Sequence, residues 1–389
     1  MKRLIFDEDH EMFRDSVRKF MQAEIEPQVE SWREAGICDK GAFLKAGEQG
    51  LLCMWADEKY GGVGIEDFRF EQIVIEETMR HGDLSLFLTL HSRLVGPYIG
   101  HLGSEALKER LLPRCISGET ILGVAMTESG AGSDLAGIKS RATRDGNDWI
   151  INGSKTYISN GINGGAFVVA ARTVPDKPHG IGLFVVEEGM EGFNRGRNLR
   201  KMGLKAQDTA ELFFENVRVP AENVLGDPEK GFYSLMHFLA EERLISACQA
   251  VAHGQVAFDL TMEYILERKA FGKPIAAFQN TRFKMAEMRT ALDVTQTFID
   301  QCVVLHNKGE LSANLAAEAK FHATEMESTV MDDCVQLHGG AGYMSEYRIS
   351  HMFVDARVSR IYAGSTEIMK EIIARSIGLD ERKLLSGEL

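Results

Sequence analysis

Met126-Thr127-Glu128-Ser129-Gly130-Ala131-Gly132-Ser133-Asp134, followed about one hairpin later by Lys155-Thr156-Tyr157-Ile158-Ser159-Asn160-Gly161, is the pair of segments on which the reading of this chain turns. In the first, small residues set between hydroxyls let the backbone approach a ligand closely while N–H and O–H groups donate to it. Alone, such a segment is a surface turn between strands. Its surroundings are strand-like. Ser140 to Arg144, Asp145-Gly146-Asn147 and Trp149 to Ile151 read as a hairpin closed by a glycine turn, with Asn152-Gly153 as a second tight turn. Ala166–Ala171, Leu183–Val186 and Leu212–Val219 are further apolar, partly β-branched strands.

Outward from this centre the period changes. Phe13, Val17, Phe20 and Met21 recur at helical spacing, Gly61-Gly62-Val63-Gly64 marks a loop, and helices are expected over Glu66–Met79, around Leu84–Tyr98, and from Ser104 to Ser117-Gly118. Beyond Gly231 the runs Tyr233–Arg268 and Leu311–Gln336 exceed ordinary helix length, as in a bundle of long antiparallel helices. The expected architecture is α+β and multidomain: a helical domain over 1–119, a β-domain over 120–228 and a helical bundle over 229–389.

The 57 acids against 44 Lys plus Arg leave a net charge of −13, which disfavours a nucleic-acid partner but permits a local basic pocket for a small anion. The six cysteines lie far apart with no Cys-x-x-Cys pair, so they read as reduced thiols with no metal site. The apolar patch at the N-terminus is too short for a signal-peptide core, and no apolar run reaches the roughly 18 residues of a membrane span. A soluble, cytoplasmic protein is expected. The fingerprints of Rossmann enzymes, P-loop NTPases, serine hydrolases and zincins are absent.

Three more segments carry chemistry: Glu267–Ile275 with Phe278-Gln279, Gln336-Leu337-His338-Gly339-Gly340, and Ile361-Tyr362-Ala363-Gly364-Ser365-Thr366-Glu367-Ile368. The first two are by themselves plain helix ends. Together with the opening pair, in this order and over essentially the whole chain, they resemble the acyl-CoA dehydrogenases. The resemblance implies an N-terminal helical domain, a barrel-like or sandwich β-domain and a C-terminal four-helix bundle. It implies FAD, with Met126, Thr127 and Ser133 against the flavin and Ser133 also touching CoA. Tyr157, Ile158 and Ser159 would lie beside the flavin ring; many relatives carry Trp and Thr there, and Pro at the Ser129 position. Arg268, Phe271, Phe278 and Gln279 would reach the diphosphate and adenosine side across a subunit interface of a homotetramer. Gln336, Gly339 and Gly340 would add backbone contacts from the neighbouring protomer, and Ser365, Thr366 and Glu367 the remaining flavin contacts. The implied partners are an acyl-CoA substrate and an electron-transferring flavoprotein.

Many members carry the catalytic glutamate between the Tyr and Gly of the last segment. Here that position is Ala363. The candidate replacement lies in Leu239-Ala240-Glu241-Glu242-Arg243-Leu244. On a helix Glu242 shares a face with Leu235, Phe238, Leu239 and Ile245, and a desolvated carboxylate is the stronger base. Periodicity gives Glu241 nearly as good a claim. The register of the isovaleryl-CoA and long-chain branch selects Glu242, with Arg243 and Gly364 toward the substrate and the Ala363 N–H left to donate to the thioester carbonyl. The implied reaction is α,β-dehydrogenation of a long-chain or branched acyl-CoA. An oxygen-using flavin oxidase or monooxygenase of the same fold, and a non-catalytic acyl-CoA-binding relative, are the alternatives.

Overall fold

The computed structural model describes residues 1–386 of the chain. The N-terminal region is helical, with α1 (Glu8–Phe20), α2 (Val29–Ala35), α3 (Gly41–Glu48), α4 (Phe68–His81), α5 (Gly96–Leu102) and α6 (Glu105–Ile116). Caps set several boundaries: Asp7, Asp67 and Ser104 each accept a backbone N–H from the first turn of α1, α4 and α6. The helix expected around Leu84–Tyr98 is the main departure. Asp83–Leu86 forms a tight turn, and a π-turn over Leu90–Val95 leads into α5.

Eight strands follow: β1 (Leu122–Ala125), β2 (Arg141–Asp145), β3 (Asp148–Ser159), β4 (Ala166–Arg172), β5 (Ile181–Glu187), β6 (Phe193–Arg195), β7 (Thr209–Val219) and β8 (Val224–Leu225). They form one sheet in the order β6-β7-β3-β2-β4-β5-β8, with β1 pairing parallel to β4. Nearly all of β4 and β5 is buried because alternate residues face two cores. Val168 and Val185 meet Tyr98, Leu107 and Leu111 of the helical layer, whereas Phe167 and Phe184 meet Phe214 and Val217 across the sheet. Asn152-Gly153 is not a turn. It lies inside β3 at a bulge, where Asn152 and Asn216 exchange bonds of 2.8 and 3.1 Å. A Cβ on Gly153 would come within 2.4 Å of the Ser140 hydroxyl, which explains the glycine.

The chain then runs through α7 (Gly231–Glu267), α8 (Gln279–Asn307), α9 (Ala313–His338), α10 (Arg348–Ala356) and α11 (Thr366–Ser376). The three long helices share a core of Ala247, Val251, Leu292, Ile299, Ala323 and Val330, and α11 lies along α9 as the fourth member. All six cysteines are buried and unpaired.

Candidate active site

A second bulge in β3, between Lys155 and Ile158, frees the backbone from β7. The Thr156 N–H turns instead to the Thr127 carbonyl at 2.9 Å, and the Lys155 ammonium donates to the Met126 carbonyl at 3.0 Å and to Glu128 Oε1 at 2.8 Å. The two sequence segments are therefore one ledge. Glu128 also accepts the Lys139 and Ser140 N–H groups at 2.7 and 3.0 Å, fixing the far end of the loop. Burial lowers the Lys155 ammonium to about 8 against the pull of Glu128.

The ledge is open to solvent. The backbone at Gly130 and Gly132 is open, with no heavy atom within 4 Å of a would-be Cβ. Tyr157 takes a left-handed φ of +59° at the bulge and presents its ring 70% exposed. Ser133 is exposed on the loop, and Ser159 pairs with Thr209 at the end of the ladder. Ile158 points inward to the sheet core, so only its main chain faces the ledge.

Arg268, Phe271, Phe278 and Gln279 are gathered at one end of the bundle. A two-residue turn at Phe271 and Gly272, both left-handed, folds Lys269–Ala270 onto Lys273–Pro274, so α7 ends in a small hairpin as well as a stop. Phe271 is 94% exposed. Tyr264 ties this end to the last turn of α9, stacking on His338 at 4.3 Å and donating to its carbonyl at 3.2 Å. Gln336 lies on that last turn, and Gly339 and Gly340 follow it with open space around each. Among the described residues no hydrogen bond joins this end of the bundle to the ledge within one chain.

The two adjacent glutamates of α7 differ sharply. Glu241 is bonded to Arg93 at 2.7 and 3.3 Å and contacts His306 Nε2 at 2.9 Å. Burial opposes ionisation there, but these partners hold its carboxyl below the ordinary value. Glu242 is half-buried on the face of α7 that carries buried Leu235 and Ile245 and half-buried Phe238 and Leu239. Burial raises its carboxyl to about 7, with the charges of Arg243 and Lys320 pulling the other way. Its own charge helps burial to push the Tyr98 and Tyr362 phenols upward. Periodicity could not separate these two carboxylates; their partners do.

The loop after α10 comes to the same region. Ala363 and Gly364 take left-handed φ values of +52° and +91°, and the carbonyls on either side of Ala363 accept from Lys320. Ser365 caps α11, Thr366 donates to Glu325 at 3.0 Å, and Glu367 is exposed in the first helical turn. Arg243 is buried with its Nε unpartnered. Lys320, Glu325 and the Glu128–Lys155 pairing were missed in the sequence. Lys320 left one signal, a lysine on a helical face of alanines at 316, 319 and 323.

Profiles described as the acyl-CoA dehydrogenase N-terminal, middle and C-terminal domains match residues 7–119, 123–217 and 229–378. The chain belongs to the acyl-CoA dehydrogenase family. It is 47% identical to the mitochondrial long-chain specific acyl-CoA dehydrogenase of Sus scrofa over 97% of this chain and 89% of that protein. It is 35% identical to the mitochondrial isovaleryl-CoA dehydrogenase of Oryza sativa, over 97% and 93%. The crystal structure of an acyl-CoA dehydrogenase from Geobacillus kaustophilus matches with a TM-score of 0.94 at 46% identity, covering 96% and 99% of the two chains. A glutaryl-CoA dehydrogenase from Mycobacterium smegmatis in complex with FADH2 matches at 0.90 and 28%, covering 97% and 96%. Acyl-CoA dehydrogenases act on CH–CH bonds, and this chain's fold is theirs from the first helix of the N-terminal domain to α11.

Proposed function

We propose that this chain dehydrogenates long-chain or branched acyl-CoA thioesters to trans-2-enoyl-CoA, with FAD as cofactor, Glu242 as base and an electron-transferring flavoprotein as acceptor. The observation that carries the reading is Glu242, a carboxyl held near neutrality among apolar side chains and engaged by no donor among the described residues. A base with its pKa near the working pH combines basicity with a useful ionised fraction. Glu242 takes the α-proton, and the Ala363 N–H donates to the thioester oxygen as negative charge builds there. Bound FAD supplies the hydride acceptor. The ledge fits that group: open glycine backbone at 130 and 132, hydroxyls at Thr127, Ser133 and Ser159, and an exposed Tyr157 ring suit a flat heterocycle rich in acceptors. Arg268 and Gln279, with Gln336, Gly339 and Gly340, serve the diphosphate and adenosine of a neighbouring copy in a homotetramer. The exposed Phe271 and Tyr343 rings at this end of the bundle support that arrangement. Ser133, Arg243 and Gly364 contact the substrate.

A preference for long or branched chains rests on the small Ala363 side chain beside the acyl Cα and on the names of the pig and rice relatives. Among the described residues no helix is long and apolar enough to cross a membrane. Six buried, unpaired thiols are compatible with a reducing compartment such as the cytoplasm; the pig and rice relatives are mitochondrial by name. The test is stopped-flow flavin reduction by a long-chain acyl-CoA. Glu242→Gln keeps the shape and removes the basicity, and the rate should fall by about 10²–10⁴-fold. Reduction at near wild-type rate would remove Glu242 from the mechanism.

A further inference from the structure

Lys320 is the most deeply buried cation of the bundle, 0% exposed in the middle of α9. A lysine pays for such a position only with strong partners. Its partners are not carboxylates. The ammonium donates to the Tyr362 carbonyl at 2.8 Å and the Gly364 carbonyl at 2.5 Å. Those are the two carbonyls that bracket Ala363, in a loop whose next two residues are both left-handed, one of them not glycine. A non-glycine residue stays in that region only where the surroundings over-determine it. The Ser365 cap and the Thr366–Glu325 bond fix the far side of this loop, and Lys320 is the side chain that holds the carbonyls on either side of Ala363.

We propose that Lys320 is a positioning residue for dehydrogenation: bonded to the Tyr362 and Gly364 carbonyls, its ammonium fixes the direction of the Ala363 N–H. The proposal rests on the reading of Glu242 as base and Ala363 as donor. Removing the ammonium strands two carbonyls and releases the loop. The same charge also bears on the base. The charged and titratable groups acting on Glu242 and Lys320 are Arg243 beside Glu242 on α7, Tyr98 on α5, Tyr362 on the loop, Glu325 on α9 and Glu367 on α11. Arg243 and Lys320 are the cations among them that lower the Glu242 carboxyl, so losing Lys320 makes that carboxyl harder to ionise.

The test uses the flavin-loaded enzyme and its Lys320→Met and Lys320→Arg variants. Hydrogen–deuterium exchange of a peptide spanning the Tyr362–Gly364 loop should be about tenfold faster in Lys320→Met, with α7 and α8 peptides unchanged. The rise of flavin reduction with pH should move to higher pH by about half a unit or more. Lys320→Arg keeps the charge but not the compact donor geometry, so it should loosen the loop and leave the pH rise in place. Wild-type exchange or a wild-type pH profile in Lys320→Met overturns the proposal. If that variant does not fold, wild-type exchange of the loop in Lys320→Arg overturns it. Glu242→Gln run in parallel keeps the two ideas apart: normal reduction in that variant defeats the base assignment, whatever Lys320→Met does.

Discussion

At the scale of the single residue, Glu242 sets function against stability. Its carboxyl has a pKa of 4.5 in the unfolded chain and about 7 in the native protein. Between those values the native state binds the extra proton, so stability falls as pH rises through this window and the whole penalty is present above about 7. Glu242→Gln removes the ionisation. The variant should be more stable than wild type at pH 8 by on the order of 2 kcal/mol and melt correspondingly higher, with the difference shrinking toward pH 5. Thermal melts at the two pH values check this, and equal melting temperatures at pH 8 would mean the carboxyl is better solvated than its surroundings indicate. In the wild type, flavin reduction should climb with pH through about 7, because only the carboxylate can accept the α-proton.

At the scale of the element, Glu241 is a fastener. It ties α7 to the π-turn through Arg93 and to the end of α8 through His306. Glu241→Gln leaves Arg93 facing a neutral amide, and should destabilise by about 1–3 kcal/mol. It does not touch the base, so flavin reduction should stay within about tenfold of wild type. A loss as large as that of Glu242→Gln would show that the fastener sets the base. The element scale is also where the sequence was most and least legible. The three regions, the hairpin of β2 with β3, and the long bundle helices followed from periodicity and turn residues. Asn152-Gly153 did not, because the dipeptide that favours a turn is overridden when Asn152 finds a cross-strand partner in Asn216. The π-turn over Leu90–Val95 leaves no local mark. Lys320 reads as a solvated helical lysine, since its partners lie about forty residues away on a loop whose direction no local pattern encodes. The ledge was legible as two motifs, but its joint, Thr156 to Thr127, depends on a bulge that only the paired strand shows.

At the scale of the whole molecule, the far end of the bundle exposes Phe271 at 94% and Tyr343 at 85%, large apolar surfaces that an isolated chain would leave wet. In the homotetramer proposed above they are covered together with the adenosine half of FAD. Light scattering on the flavin-loaded protein should give four copies. Arg268→Ala, which removes a charge-assisted contact to a diphosphate, should lower the FAD retained per chain after gel filtration. A flavin-loaded monomer would refute the arrangement. The cysteines add something at this scale. Burial pushes every one of the six thiols above its ordinary value, so none is a thiolate at neutral pH while the fold is closed. A maleimide is therefore blind to the native enzyme and reacts only through openings. Cys38, Cys53 and Cys115 sit in the N-terminal layer and Cys248, Cys302 and Cys334 in the bundle. The order in which they take up label becomes a clock, built into the sequence, that records which half lets go first.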